Sequence, residues 1–363
     1  MLRLALALVL IPSFALAAAP GALVVDRSTP AMSRTTAADW MRHPHDDKYY
    51  TENWTACMRS KDGNVAFVQI LYSNIGVLSG SAAVHVAFTP AGSTASHHVF
   101  EHSLSEYGQD EGSGRVGVGA SWMGLKGDSL TIRIKEKDVE MTLDATTWYP
   151  GYKLHDGVIR FGKDSDKFVQ TFFAVPRATM TGTAVVSGKK YVMDGDVYVD
   201  HFVQNVIGTD YATHWWTNRF FHPDYTVFFI VFRTTKDYGN KRVARFFVGD
   251  RKSALHFGDS LTLATSAAWS DPKGHKHDSK YSFSWSGKKL QVKGELSGKR
   301  MFDRDAILDQ MNAAQRQVVK IFAGNPVIYR IDGEADIGLS ISGSPEVRLQ
   351  GSAVMESIVL GGE

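Results

Sequence analysis

Cysteine is almost missing from this chain: Cys57 is the only one in 363 residues. An intramolecular disulfide is therefore excluded, and stability must come from packing and strand pairing. Cys57 itself reads as a small buried hydrophobe. Net charge is scarce as well, at +2 with the two signs interspersed. Without a basic stripe, nucleic acid is not expected as a partner. Long apolar runs are also lacking. The best of them, residues 4–11, stops at Pro12 and falls well short of the ~20 residues a membrane helix requires. It comes after Arg3 and precedes Ala15-Leu16-Ala17, which is the order of a cleaved export signal. Residues 1–17 therefore predict a secreted or periplasmic protein, with an uncleaved anchor as the alternative. Residues 18–363 are more than one core usually holds and divide naturally into two domains of ~150 residues each.

Strand grammar is what the chain has in quantity. Residues 18–50 are polar and irregular and read as a linker. Within them His43-Pro44-His45-Asp46-Asp47 offers competent metal ligands, but the spacing matches no defined site, and a solvated segment is the expectation. Residues 52–77 give two strands around the turn Lys61-Asp62-Gly63-Asn64. Val84, Val86 and Phe88 then share a face, as do Leu130, Ile132 and Ile134, and after them Val139, Met141 and Leu143. Period-two alternation of this kind predicts antiparallel strands with one buried face. Between those runs, residues 103–127 are rich in glycine and read as a flexible barrel-mouth loop, with His97, His98 and His102 exposed just before it. One segment has helical spacing, from an N-cap at Asp303 through Ile307, Met311, Ala314, Val318 and Phe322 to Gly324. His275-Lys276-His277-Asp278 comes after an evident turn and reads as a solvated loop, so no metal site is assigned. The fold class is mostly β, with a first domain at 51–185, a second at 186–363 and one helix in the C-terminal half.

The rest of the chain is organised around residues 191–239. Of the 35 residues from 198 to 232, 11 are aromatic, against 11% for the whole sequence. Asp200, His201, His214 and His222 are threaded through them. So many rings with a few polar groups suit an apolar pocket or the seam between two packed barrels.

Several short motifs carry a resemblance. Ala66-Phe67-Val68-Gln69-Ile70-Leu71-Tyr72-Ser73-Asn74-Ile75-Gly76, Pro150-Gly151-Tyr152, the segment 172–177 with Gly182, Tyr329-Arg330-Ile331-Asp332-Gly333 and the segment 351–356 resemble the tandem lipocalin-like proteins of the fungal survival-factor family. The same framework is similar to that of AttH-type proteins, carotenoid hydratases and fungal decalin-forming cyclases. The resemblance implies two calycin β-barrels with an apolar cavity in or between them. It further implies either carriage of a lipid, linked to oxidative-stress survival, or chemistry on long polyenes. The carotenoid hydratases place an Asp-His pair followed by Trp-Gly at the start of the second domain. This chain keeps Asp200-His201 and lacks the Trp-Gly.

Neighbours on a strand point to opposite faces, so without a bulge Asp200 and His201 cannot both line one cavity. Asp200 would share a face with Tyr198, Phe202 and Gln204. Facing an apolar lumen it would hold its proton and serve as a general acid, with Trp215, Trp216, Phe220 and Tyr225 as further pocket walls. A carrier asks for less, because an acyl chain gains ~0.8 kcal/mol for each buried CH₂ and needs no catalytic group. Binding of a hydrophobic, lipid-like small molecule without a cofactor is the first expectation. A cofactor-free hydratase, isomerase or cyclase of a terpenoid or polyene is the second, and a structural protein with filled barrels the third. Transient membrane contact stays open, and no stable protein partner is implied.

Overall fold

The computed structural model describes residues 21–25, 31–74, 80–162, 166–266, 268–306 and 326–360. Residues 1–17, read as an export signal, lie outside them. Alternation does become strands. Ile132 pairs with Leu143 and Ile134 with Met141, all four pointing inward, while Arg133 reaches Asp144 on the outer face at 2.8 Å.

The first sheet contains β1 (Thr51–Ser60), β2 (Val65–Ser73), β3 (Ser81–Thr89), β4 (Ser96–Ser103), β5 (Tyr107–Asp110), β6 (Arg115–Val118), β7 (Ser121–Lys126), β8 (Ser129–Glu136), β9 (Val139–Thr147), β10 (Phe168–Val186) and β11 (Gly195–Gln204). Their order is β4-β3-β2-β1-β11-β10-β9-β8-β7-β6-β5. The second sheet contains β12 (Ala212–Phe221), β13 (Tyr225–Thr234), β14 (Arg242–Asp250), β15 (Ala254–Gly258), β16 (Thr262–Ser266), β17 (Lys280–Ser286), β18 (Leu290–Ala306), β19 (Val327–Ile341) and β20 (Val347–Val359). Their order is β15-β14-β13-β12-β20-β19-β18-β17-β16. In both sheets the last strand pairs with the first, and the ring of pairings opens between the fourth strand and the fifth. Two units with one topology stand in tandem, although no literal sequence repeat links them. The alternation predicted the antiparallel strands, and their nearly closed, lipocalin-like arrangement is the one that the resemblance implied.

Each barrel has an apolar core. Trp54, Met58, Val68, Phe88, Met141 and Met180 are among the residues packing the first, and Phe229, Phe246, Tyr281, Phe283, Leu296 and Ile337 among those packing the second. A third cluster lies between them, where Tyr149, Phe173 and Tyr198 of the first unit meet Phe228, Phe247 and Phe257 of the second. Phe228 stacks on Phe247 with centroids 4.9 Å apart and on Phe173 at 5.1 Å. Each ring buried there contributes roughly 1.5–3 kcal/mol, so the seam is a core in its own right.

Four expectations change. The segment 191–239 does not open the second unit as a block: β11 pairs along its whole length with β1, from Gly195 with Ser60 to Gln204 with Thr51. The change of sheet therefore falls at residues 205–211, after the expected boundary near 185, because register with β1 overrides the Gly-Lys-Lys turn that marked that boundary. Residues 103–127 are not a loop. They form β5, β6 and β7, with Val116, Val118 and Met123 buried inside, and Gly117 lets Trp122 close over it, since a Cβ there would meet Trp122 Cβ at 2.5 Å. Residues 31–50 are not a free linker. Ser33–Arg34 pairs with Tyr152–Lys153, and Ala37–Trp40 is a short helix that sends Trp40 against Trp54. The expected helix from Asp303 does not start there, because Asp303 to Ala306 continue β18 against β19. Its other positions, 307–325, lie outside the described residues.

Candidate functional site

Strand β11 sets the site. Val197 and Val199 join the first barrel's core, and His201 stacks on Trp54 at 4.4 Å. On the other face Tyr198 enters the seam cluster, while Asp200, Phe202 and Gln204 line a cleft of about 270 Å³ between the two sheets. The facing wall comes from the second unit, with Trp215, Ile230, Ile328, Ile358 and Leu360 as apolar surface. Thr217, Arg219, Arg330 and Glu356 supply polar groups to the same cleft.

These polar groups form one chain of contacts. Arg219 Nη1 donates to Glu356 Oε2 at 2.7 Å, and its Nη2 stands 3.7 Å from Asp200 Oδ2. Glu356 Oε2 also accepts from Thr217 Oγ1 at 2.7 Å, and Oε1 accepts from Arg330 Nε at 3.0 Å. Arg330 donates in turn to Asp303, whose other oxygen meets His97 Nε2 at 2.7 Å. The guanidinium of Arg219 lies 4.8 Å from the Tyr198 ring centroid, and that of Arg330 4.2 Å from the Phe67 centroid. Cation–π contacts of this kind are worth roughly 0.5–2 kcal/mol.

Burial sorts the two carboxyls. It pushes Asp200 up to about 6, against the opposing charge of Arg219. Glu356 moves the other way: burial alone would raise it, but Arg219 and Arg330 together hold it below the ordinary carboxylate range. Glu356 is thus a fixed charge, whereas Asp200 titrates just below neutrality. Arg219 Nε is buried and has no hydrogen-bond partner among the described residues. Buried donors are usually paired, so this one stands out beside the cleft.

His201 does a different job. It is fully buried, donates from Nδ1 to the Asp39 carbonyl at 2.8 Å, and meets Glu52 Oε1 through Nε2 at 2.8 Å. Glu52 is also fully buried. Burial would raise its pKa, but hydrogen bonds from His201, His43 and Tyr50 outweigh that and bring it to about 2. This group of side chains ties the segment 39–52 into the first barrel. The Asp-His pair is therefore split between two places, as strand geometry requires, with only Asp200 facing the cleft.

Of the expected pocket walls, Phe202, Gln204 and Trp215 line the cleft. Trp216 and Phe220 belong to the second barrel's core, and Tyr225 packs against that core. Their placement obeys the same alternation: Trp215 and Trp216 are neighbours on β12 and point opposite ways. Two loop readings also change. His43 is half-buried, stacks on Phe172 and bonds Glu52. His277 is buried against Tyr329 with ring centroids 4.1 Å apart. His97 is not exposed either, since it bonds Asp303 across the seam. Arg219, Arg330 and Glu356 were missed as a group. The available signal was a lone charge within an apolar strand, such as Glu356 between Met355 and Ser357-Ile358-Val359.

The Svf1 family model matches residues 26–360. The chain belongs to the Svf1 family. Solved structures share the fold of this family member. CghA with Sch210972 superposes with a TM-score of 0.62 at 11% identity, covering 91% of this chain and 98% of that one. An AttH-type protein of Nitrosomonas europaea gives 0.57 at 14% identity, covering 86% and 93%. Kievitone hydratase of Nectria haematococca gives 0.52 at 12% identity, covering 85% and 88%. At such identities the likeness concerns the fold alone. No curated protein matches the sequence.

Proposed function

We propose that this Svf1-family chain is an exported protein that binds one small hydrophobic, lipid-like molecule with its polar end on Asp200 and Arg219. Export rests on the signal-like residues 1–17. The observation that carries the binding reading is the seam cleft, where apolar walls from both units meet an acid that titrates near neutrality and a guanidinium nitrogen with no partner among the described residues. The seam offers the apolar surface that a ligand needs. A hydroxyl or amide on the ligand can donate to Asp200 and accept from Arg219, while each methylene buried between Ile230 and Ile358 contributes ~0.8 kcal/mol. That CghA was crystallised with Sch210972 supports a small-molecule site in this fold.

The test uses the full chain titrated with palmitoyl ceramide and palmitic acid, read by Trp fluorescence and native mass spectrometry. One bound molecule is expected, weakened about tenfold or more by Ile358→Trp, which fills the cleft. Equal binding by the filled variant overturns the reading.

A second reading rests on Asp200 alone. A buried carboxyl at about 6 suits a general acid toward an alkene or carbonyl, the chemistry that the name kievitone hydratase implies for one structural neighbour. Asp200→Asn would then abolish turnover while leaving affinity intact. Unchanged turnover of a verified substrate removes Asp200 from catalysis.

A further inference from the structure

His85 on β3 and His97 on β4 share the outer face of the first barrel, and Asp305 on β18 of the second unit comes up against them. His85 Nε2 and His97 Nδ1 share a hydrogen bond of 3.5 Å, whose proton a bound cation would displace, and they lie 3.9 Å and 3.8 Å from Asp305 Oδ2. A cation equidistant from these three atoms would sit about 2.2 Å from each, beside the ~2.0–2.2 Å of Zn–N and Zn–O bonds. We propose that His85, His97 and Asp305 form a site for a first-row divalent cation, zinc by preference, that clamps the two units together across the seam. Spacing along the sequence hides this site, because Asp305 lies more than 200 residues beyond the two histidines and on the other sheet.

The surroundings are those of a ligand set. His97 Nε2 donates to Asp303 at 2.7 Å, which turns the Nδ1 lone pair toward the site. A carboxylate behind a metal-bound imidazole is the usual outer partner, and it fixes the tautomer and raises ligand basicity. Arg330 lies 4.0 Å from Asp305 Oδ2 and would repel a cation. Its charge is already engaged by Asp303 and Glu356. Two imidazoles and a carboxylate suit zinc and its neighbours better than calcium or magnesium, which take oxygen ligands. Three protein ligands leave a fourth position for water, and both histidine side chains are about one-fifth exposed on the seam's rim. By contrast His43, Glu52 and His201, which also lie close together, are joined by hydrogen bonds that use both His201 nitrogens.

The experiment strips the full chain with chelator, then titrates Zn²⁺ by calorimetry and Co²⁺ by its visible absorbance. One equivalent is expected, with higher thermal stability when loaded, because the ion bridges two sheets. His85→Gln and Asp305→Asn should each weaken binding more than about tenfold, and Asp303→Asn, behind His97, about 10–100-fold. His98→Gln, on the opposite face of β4, should leave affinity unchanged, and circular dichroism checks that every variant folds. Zinc bound equally by wild type, His85→Gln and Asp305→Asn would overturn the site, as would the absence of a saturable equivalent in the stripped wild type. Neither result bears on the cleft, whose ligand assay is separate.

Discussion

Replacing Asp200 with asparagine should stabilise this protein at alkaline pH, with a dependence on pH that its burial dictates. In the folded chain Asp200 takes up its proton at about 6, against an ordinary value of 3.8. Between those two values the folded state holds more protons than the unfolded state, so stability falls as pH rises through that window. Above about pH 6 the full penalty is present. A difference of about two pKa units corresponds to ~3 kcal/mol. Asparagine has nearly the same shape and carries no charge, but it keeps a polar amide whose burial costs roughly 1–2 kcal/mol on its own. The net expected gain at pH 8 is therefore about 1–2 kcal/mol, turning into a loss of about 1 kcal/mol near pH 4, where wild-type Asp200 is itself neutral and only the amide's cost remains. Urea unfolding of wild type and Asp200→Asn at half-unit steps of pH would trace the difference. If Arg219, 3.7 Å away, outweighed burial, the sign would reverse and asparagine would destabilise most at pH 8. A reversed or flat difference curve would refute the reasoning.

Glu52→Gln should cost about 3 kcal/mol at neutral pH. The folded value of about 2 lies below the ordinary 4.5, so this carboxylate's contribution is present above pH 4.5 and lost as pH falls through 2. Because Glu52 lies inside the first barrel, ligand affinity should not change. A thermal melt together with a ligand titration checks both, and a loss below about 1 kcal/mol would mean that the hydrogen bonds from His201, His43 and Tyr50 are not what hold Glu52 ionised. Cys57 is fully buried and its thiol is pushed up to about 12 by that burial. Iodoacetamide at pH 8 should leave the native chain unlabelled and modify one site after urea is added, as measured by intact mass. Stoichiometric labelling of the native chain would contradict the packing of β1 against the second unit.

Much of the architecture was legible because strands write their environment into the sequence every second residue. Alternation placed β8 and β9 correctly and separated Asp200 from His201. The motif glycines also have visible reasons: Gly182, at φ +147, leaves room for the Thr142 carbonyl, which a Cβ would approach to 2.1 Å. The reading failed where a local signal competed with distant pairing. A glycine-rich stretch looked like a loop, yet its valines had a barrel to face. A turn at residues 188–190 looked like a boundary, yet β11 had β1 to complete. The imidazoles of His43 and His277 looked solvated because nothing nearby in sequence reveals Phe172 or Tyr329.

By itself, then, the sequence determined that the chain is built of two-faced strands in two units, that no disulfide holds it, and that Asp200 and His201 look opposite ways. What it left open was which face is interior, since both faces of β11 are apolar enough to be buried. Closing each sheet on its own first strand decided that. It sent His201 into the first barrel and Asp200 to the seam. The same closure brought Arg219 to Glu356 across 137 positions and Arg330 to Asp303 across 27. Charges find their partners through strand order and register, and those are properties of the closed sheets.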